Sequence, residues 1–238
     1  MMNRVIDFHS HILPRIDDGS SSVEESIAML RMEKQQGIDC VIATPHFYAQ
    51  HDTPEHFLKR RARAESILRE EMAKDPTLPE VKIGAEVYYF KGISDSDVIS
   101  ELTIDQKKCI LIEMSASPWD ASVYRELEAL YVRRGVTPII AHIDRYITRF
   151  RTFGIPQKLR ELPVLVQANA EFFLNRSTAS MALRMLKNEE IHLLGSDCHN
   201  LKTRKPDLGD ALALIRKRLG EDAMDWIHAY QQDVLTDI

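Results

Sequence analysis

The chain has 238 residues, 44% hydrophobic and 28% charged, which supplies one sizeable core and excludes a disordered, collagen-like or disulfide-stapled chain. Its 31 Lys and Arg against 36 Asp and Glu give a formal charge of −5, which argues against a uniformly basic face and hence against a nucleic-acid partner. No apolar run reaches the roughly 18 to 20 residues of a membrane helix, and Asp7, His9 and His11 come too early for the apolar segment of a signal peptide. The expectation is a cytoplasmic protein with no direct membrane insertion. Three widely spaced cysteines, Cys40, Cys109 and Cys198, fit a reducing compartment and form no Cys-x-x-Cys motif.

Short β-branched runs alternate with helical patterns along the chain. Val5–Phe8 reads as a strand, and Ser22-x-x-Glu25 as a capping box that opens a helix ending at Gly37. Cys40–Ala43 is the second strand, and Thr53-Pro54 starts a charged helix to about Ala73. Val81–Ala85 and Cys109–Ile112 are strands three and four, followed by a helix from about Ala121 that stops before Gly135. Thr137–Ala141 and Val164–Ala168 are strands five and six. Helical Ser177–Lys187 precedes strand seven, Ile191–Leu194, and the last helices run from about Asp207 to Leu219 and from Asp222 to about Gln232. No Gly/Ser/Pro-rich linker interrupts the series, so residues 1–238 are read as a single α/β domain with a parallel sheet. The alternation fits both an open doubly wound sheet and a closed barrel.

The residues that follow each strand decide in favour of the barrel. Strand one is followed by His9-Ser10-His11, strand two by His46, strand three by Glu86 and strand four by Glu113. Strand five gives His142, strand seven gives Asp197 and His199, and strand six breaks the series with Gln167 and Asn169. A parallel barrel gathers all these strand ends on one face. Residues two apart in extended chain project to the same side, so His9 pairs with His11 and Asp197 with His199, while Ser10 and Cys198 turn away. Asp17-Asp18-Gly19, a turn after strand one, adds a carboxylate within reach. Imidazoles and carboxylates without thiolate suit zinc, manganese or ferrous iron. They are too many for one tetrahedral ion, which implies two or three metals and metal-assisted hydrolysis, especially at phosphorus. His51, His56, His192 and His228 fall outside this pattern and are read as surface or helix residues.

Several motifs occur in order over almost the whole chain: Asp7-Phe8-His9-Ser10-His11-Ile12-Leu13-Pro14, Asp17-Asp18-Gly19, Ala43-Thr44-Pro45-His46, Gly84-Ala85-Glu86, Ala141-His142-x-x-Arg145-Tyr146 and Gly195-Ser196-Asp197-x-His199-Asn200. Together they resemble the polymerase-and-histidinol-phosphatase (PHP) superfamily, and within it the bacterial manganese-dependent protein tyrosine phosphatases found with capsule and exopolysaccharide synthesis genes. The resemblance implies a distorted seven-stranded, TIM-like (β/α)7 barrel with three divalent ions at its mouth, manganese first and iron or zinc as alternatives. It implies that His9, His11, Glu86 and Asp197 hold one ion, that Glu113 and His142 hold a second with Glu86 bridging, and that Asp18, His46 and His199 hold the third. Arg145 and Arg204 match arginines that contact phosphate in that family, and their guanidiniums suit planar recognition of phosphoryl oxygens. The implied reaction is hydrolysis of phosphotyrosine by a metal-bound hydroxide with no phosphoenzyme, on a partner such as the tail of a bacterial tyrosine kinase.

One competing pattern is the bare Cys-x5-Arg formula from Cys198 to Arg204, the signature of thiolate tyrosine phosphatases. The intervening loop has no glycine to cradle a phosphate, and the adjacent Asp197 disfavours a thiolate; Cys198 is read as packing. Departures from the family pattern at Ile143-Asp144 and the aromatics of Gln167–Phe173 bear on the shape of the substrate rim. The rival functions are a PHP phosphoesterase for histidinol phosphate or another small phosphomonoester, a metal-dependent nuclease or amidohydrolase barrel, and a non-enzymatic metal-stabilised scaffold.

Overall fold

The computed structural model describes residues 4–115, 117–149 and 154–236. Among the described residues nine strands form in chain order: β1 (Ile6–Ser10), β2 (Cys40–Ala43), β3 (His46–Phe47), β4 (Glu80–Ile83), β5 (Glu86–Tyr88), β6 (Cys109–Glu113), β7 (Thr137–Ile140), β8 (Leu165–Asn169) and β9 (Leu193–Gly195). All pair in parallel, in the orders β1-β2-β4 and β3-β5-β6-β7-β8-β9. The sequence reading ended two strands early, because each resumes after a short break. Thr44-Pro45 separates β2 from β3, and Gly84-Ala85 separates β4 from β5. Backbone bonds cross the gap, from Gly84 N to Ala43 O at 2.9 Å and from Glu86 N to Pro45 O at 3.0 Å. The breaks put His46 and Glu86 side by side in the β3–β5 register.

The sheet curls until its ends meet. Ser10 bridges Cys198, with His11 N donating to Cys198 O at 2.9 Å and Asp197 N to His9 O at 2.8 Å. Gly195 permits this approach, since a Cβ there would lie 2.6 Å from the Cβ of His9.

Helices α1 (Val23–Gln35), α2 (Pro54–Met72), α3 (Ile99–Leu102), α4 (Ala121–Arg134), α5 (Asp144–Arg149), α6 (Ile155–Arg160), α7 (Ala170–Leu174), α8 (Ala179–Lys187), α9 (Leu208–Leu219) and α10 (Glu221–Thr236) complete the chain. The start of α1 is half a capping box: Ser22 Oγ accepts from Glu25 N at 3.2 Å, while the Glu25 carboxylate turns to Ser21 N and Oγ at 2.9 and 2.7 Å. Thr53 and Asp120 cap α2 and α4 through their side chains, and Gly135, at φ 65°, ends α4 in the left-handed region. Helices α3, α5, α6 and α7 have only four to six residues, too few for a 3.6-residue apolar period to show in the sequence.

One apolar cluster lies between sheet and helices, with Val41, Ile110, Ile112 and Ile140 packed on Leu30, Leu68, Leu127 and Ile215. A second fills the other face, from Ile6, Phe8, Ile42, Leu111, Ile139 and Leu193. Phe172 and Phe173 are buried and pack edge to face, so those aromatics serve the core and do not shape the rim that the sequence reading associated with them. Ile143 is likewise in the core. No helix among the described residues is long and apolar enough to cross a membrane.

Candidate metal centre

The loops and strand ends on one side of the sheet bring the sequence-predicted residues together around Glu86, which is 1% exposed on β5. Its Oε2 lies 3.2 Å from His9 Nε2, 3.2 Å from His11 Nε2 and 3.0 Å from His46 Nδ1. Its Oε1 lies 2.8 Å from His142 Nε2. Glu113, at the end of β6, stands 3.7 Å from His142 Nε2 through Oε1. On the other side of His9 and His11, Asp197 Oδ1 is 3.4 and 3.5 Å from their Nε2 atoms. Asp18, largely exposed, reaches His46 Nε2 at 3.4 Å and His199 Nε2 at 3.5 Å through Oδ1. All nine residues predicted as metal ligands therefore lie within one contiguous cluster.

Within this cluster three sets have ligand atoms within 4.8 Å of one another: His9, His11 and Glu86; His46, Glu86 and Glu113; and His11, Asp18, His46 and His199; a fourth set among the described residues, Asp7, Glu33 and Cys198, includes none of the clustered residues. Glu86 joins the first two sets, and His11 and His46 each join two. The chemistry of the donors also fits cations. Glu86 Oε2, His46 Nδ1 and His199 Nε2 are buried without a hydrogen-bond partner. Such atoms are costly unless an additional partner satisfies them. His9 Nε2 and His11 Nε2 face each other at 3.1 Å, a juxtaposition of ring nitrogens that a shared cation resolves.

The charges respond to this crowding. Burial opposes ionisation of Glu86, but His9, His11, His142 and His46 hold its carboxyl well below the usual range. Burial likewise opposes ionisation of Asp197, and His9 and His11 outweigh it. Burial pushes the His142 imidazole down, and burial with the neighbouring His11 takes His199 to about 4. Glu113 is pushed up by burial and by Glu86. The two imidazoles driven neutral are in the form that ligates metals.

Residues outside the predicted set orient the clustered side chains. Asp17 Oδ2 accepts from His11 Nδ1 at 2.8 Å and from His46 N at 3.0 Å, turning His11 Nε2 towards Glu86. Gly19 must be glycine for this turn, since a Cβ would lie 2.3 Å from His11 O. His199 Nδ1 donates to Asp197 O at 2.9 Å, leaving Nε2 for the centre. Gln167 and Asn169, the apparent break in the series, form a relay instead. Gln167 Oε1 accepts from His142 N at 2.6 Å and lies 3.4 Å from His9 Nδ1, and its Nε2 donates to Asn169 Oδ1 at 3.0 Å. Asn169 Nδ2 then donates to Asp197 Oδ2 at 2.9 Å. Their spacing of two on a strand between two ligand-bearing strands was the available signal. Tyr146 Oη lies 3.3 Å from His142 Nδ1 and accepts from Met114 N at 2.8 Å.

Arg145 and Arg204 stand at the mouth, 39% and 38% exposed, each on one oxygen of Asp197: Arg145 Nη2 to Oδ2 at 2.6 Å and Arg204 Nη2 to Oδ1 at 2.8 Å. Arg145 Nη1 also reaches Glu113 Oε1 at 3.4 Å. Two aromatic rings join them. Tyr48 follows His46 by two residues and Tyr88 follows Glu86 by two, and their rings are 5.5 Å apart, with the Tyr48 ring 5.2 Å from that of His46. Sequence reasoning missed this pair because it ended strands two and three before β3 and β5.

Cys198 points away from the centre. Its thiol is fully buried, 3.9 Å from Glu33 Oε1 on α1, and burial with Glu33 and Asp7 pushes its pKa well up. His192 is held by Val166 N, which donates to its Nδ1 at 3.0 Å, and His56 by Asp52 at 2.6 Å; neither is near the cluster.

Fold and site define an α/β protein with a curled parallel sheet whose strand ends converge on a cluster of imidazoles and carboxylates suited to holding metal ions. The chain belongs to the capsular polysaccharide synthesis CpsB/CapC family, whose family model matches residues 5–235. It is 26% identical over 228 residues to tyrosine-protein phosphatase CpsB of Streptococcus agalactiae, covering 92% of each chain. It is 30% identical over 236 residues to tyrosine-protein phosphatase YwqE of Bacillus subtilis, covering 92% of this chain and 86% of that one. Among solved structures, one of the metal-dependent tyrosine phosphatases YwqE from Bacillus subtilis and CpsB from Streptococcus pneumoniae superposes with a TM-score of 0.77, at 25% identity over 94% of both chains.

Proposed function

We propose that the protein is a metal-dependent protein tyrosine phosphatase that acts in the cytoplasm on phosphotyrosine of a partner protein, the tail of a bacterial tyrosine kinase in capsule or exopolysaccharide synthesis. The observation that carries this reading is the convergence of four imidazoles on Glu86, with three buried donor atoms unpartnered, beside two half-exposed guanidiniums. Family membership and the phosphatase relatives support it.

In this reading His9, His11, Glu86 and Asp197 hold one divalent ion, Glu113 and His142 a second bridged by Glu86, and Asp18, His46 and His199 a third, with manganese as the metal. By the same reading β2 with β3 and β4 with β5 are single broken strands of a seven-stranded barrel, a closure that the Ser10–Cys198 bridge supports. Bound ions of this kind supply a nucleophile from water at neutral pH and neutralise charge on the phosphoryl group.

The chain's own residues do the rest. Arg145 and Arg204 exchange Asp197 for the non-bridging phosphoryl oxygens, where planar guanidiniums stabilise the charge that spreads in the transition state. Tyr48 and Tyr88 lie beside the phenyl ring of the substrate. The leaving phenol has a pKa of about 10 and needs less protonation than an alkyl alcohol. Asp17, Gln167, Asn169 and Tyr146 hold the ligands in place.

The experiment is phosphate release from a phosphotyrosyl peptide before chelation, after it, and after manganese is restored. Loss and recovery are expected. Activity that survives thorough metal removal sinks the metal-dependent reading, and metal-dependent release from alkyl phosphates alone transfers the protein to small phosphomonoesters.

A further inference from the structure

We propose that the cleft between α1 and α2 is a docking groove for an acidic stretch of the phosphotyrosyl polypeptide, an inference that rests on the phosphatase reading above. The cleft, about 560 Å³ in volume, is lined by Arg15, Arg60 and Arg63 against a single carboxylate, Glu24, with Val23 and Ile67 among its apolar residues. On a chain of formal charge −5, the guanidiniums of Arg15 and Arg63, beside Arg60 paired with Asp52, form a local basic site of the kind that selects and orients acidic partners. Arg60, Arg63 and Ile67 recur at helical spacing and so share one face of α2.

Two of these guanidiniums, those of Arg15 and Arg63, are largely left free by the fold. Arg63 makes no hydrogen bond or ion pair among the described residues. Arg15 spends only Nε, on Ser21 O at 3.0 Å. Arg60 is anchored, with Nη1 on Ile16 O at 2.7 Å and Nη2 on Asp52 Oδ2 at 2.6 Å, and its Nε is buried without a partner. Ile67, 39% exposed, is one of few large apolar side chains that face solvent among the described residues, and it offers a surface for the apolar stems of a bound peptide.

The groove and the candidate centre share one loop, since Pro14 and Arg15 line the groove and lead directly into Asp17 and Asp18. Arg15 precedes Asp18 by three residues in that loop. Arg60 clamps that same loop at Ile16. An extended peptide advances about 3.3 Å per residue, so acidic side chains about three to six residues from the phosphotyrosine sample roughly 10 to 20 Å from the phosphate, the range over which docking is tested.

The test uses the manganese-loaded full chain and three substrates: para-nitrophenyl phosphate, a phosphotyrosyl peptide with glutamates three to six residues either side of the phosphotyrosine, and the same peptide with glutamines. The expected result is a kcat/KM about five-fold higher for the glutamate peptide at about 50 mM salt, which disappears by about 300 mM salt. Arg63→Glu, and more fully Arg15→Glu with Arg63→Glu, removes the advantage through KM, leaving kcat and the rate on para-nitrophenyl phosphate unchanged; Arg63→Lys retains most of it. Equal rates on the two peptides in the wild type overturn the groove, as does a glutamate preference that persists in the charge-reversed variants. Hydrolysis of none of the three substrates refutes the phosphatase reading. The groove is then judged by fluorescence anisotropy with the labelled, unphosphorylated glutamate peptide: binding that Arg63→Glu abolishes supports docking. No binding, or binding displaced equally well by inorganic phosphate at matched ionic strength, rejects it as a peptide site.

Discussion

Asp17 Oδ2 accepts the Nδ1 proton of His11 at 2.8 Å, so a carboxylate that touches none of the other clustered acids fixes the tautomer of one of the central imidazoles. Burial opposes the charge of Asp17, but the bond from His11 wins and holds its carboxyl at about 2. The pair is mutual, with His11 pushed well up against the pull of burial by Asp17, Asp197 and Glu86. Partners of this kind set ligand orientation and basicity, and their loss costs about 10- to 100-fold in metal affinity. Asp17→Asn is therefore expected to weaken manganese binding by that factor in a calorimetric titration, with the circular dichroism of the protein unchanged. An affinity equal to wild type would remove Asp17 from the positioning role.

The strand ends were legible because each ligand follows a β-branched run in fixed order, and a parallel sheet sends all such ends to one side. What was not legible depended on details finer than that rule. Asp17 and Asp18 are neighbours in sequence, yet the turn closed by Gly19 sends one inward to His11 and leaves the other at the mouth. Gln167 and Asn169 looked like a gap because their side chains are neutral; they hold His142, His9 and Asp197 through hydrogen bonds of their side-chain amides. Phe172 and Phe173 looked like rim residues until α7 turned them into the core. Tyr48 and Tyr88 were hidden by strand breaks at Pro45 and Ala85, beyond which pairing resumes.

Arg145 and Arg204 grip opposite oxygens of Asp197, which makes them a unit. Removal of a preorganised donor from a developing negative charge costs about 10²- to 10³-fold in kcat. Arg145→Ala is expected to lower kcat/KM for phosphotyrosyl peptide within that range, with partial recovery in Arg145→Lys, which retains charge but not the planar fork. Because both guanidiniums share one carboxylate, the double Arg145→Ala, Arg204→Ala variant should fall short of the product of the single losses. A strictly multiplicative double variant would show that the two act separately.

In the proposed reading Tyr48 and Tyr88, whose rings are 5.5 Å apart beside His46, flank the aryl group of the substrate. Stacking between aromatic rings contributes about 0.5–1.5 kcal/mol beyond area burial, which is roughly two- to ten-fold in a rate ratio. Tyr48→Leu should lower kcat/KM for phosphotyrosyl peptide by about that factor while leaving phosphoserine peptide unaffected, so the ratio of the two falls. Tyr48→Phe should behave as wild type, because the ring and not the hydroxyl makes the contact. An equal loss on both substrates would assign Tyr48 to structure.

Cys198 has the spacing of a nucleophile and the surroundings of a core residue. The thiol is buried against Glu33, and burial, Glu33 and Asp7 all disfavour the thiolate. Cys198→Ala should keep the rate on phosphotyrosyl peptide to within about two-fold, and iodoacetamide should not inactivate the folded wild type. Abolished activity in a stably folded Cys198→Ala protein would bring the Cys198–Arg204 loop forward.

His192 makes stability depend on pH away from the metal centre. Val166 N donates to its Nδ1, so protonation there would set two donors face to face, and burial takes the imidazole down to about 4. An unfolded imidazole titrates near 6.5, so between about 4 and 6.5 the unfolded chain binds more protons and stability rises with pH. The contribution is intact above the unfolded value and is eroded as pH falls towards the folded one. By linkage this group alone removes about 2 kcal/mol of stability between pH 7 and pH 5. His192→Asn, whose amide oxygen can accept from Val166 N but does not titrate, should lose about that much less than wild type over the same interval in urea unfolding of the metal-free protein. Parallel losses in the two proteins would show that the imidazole remains free to protonate in the fold.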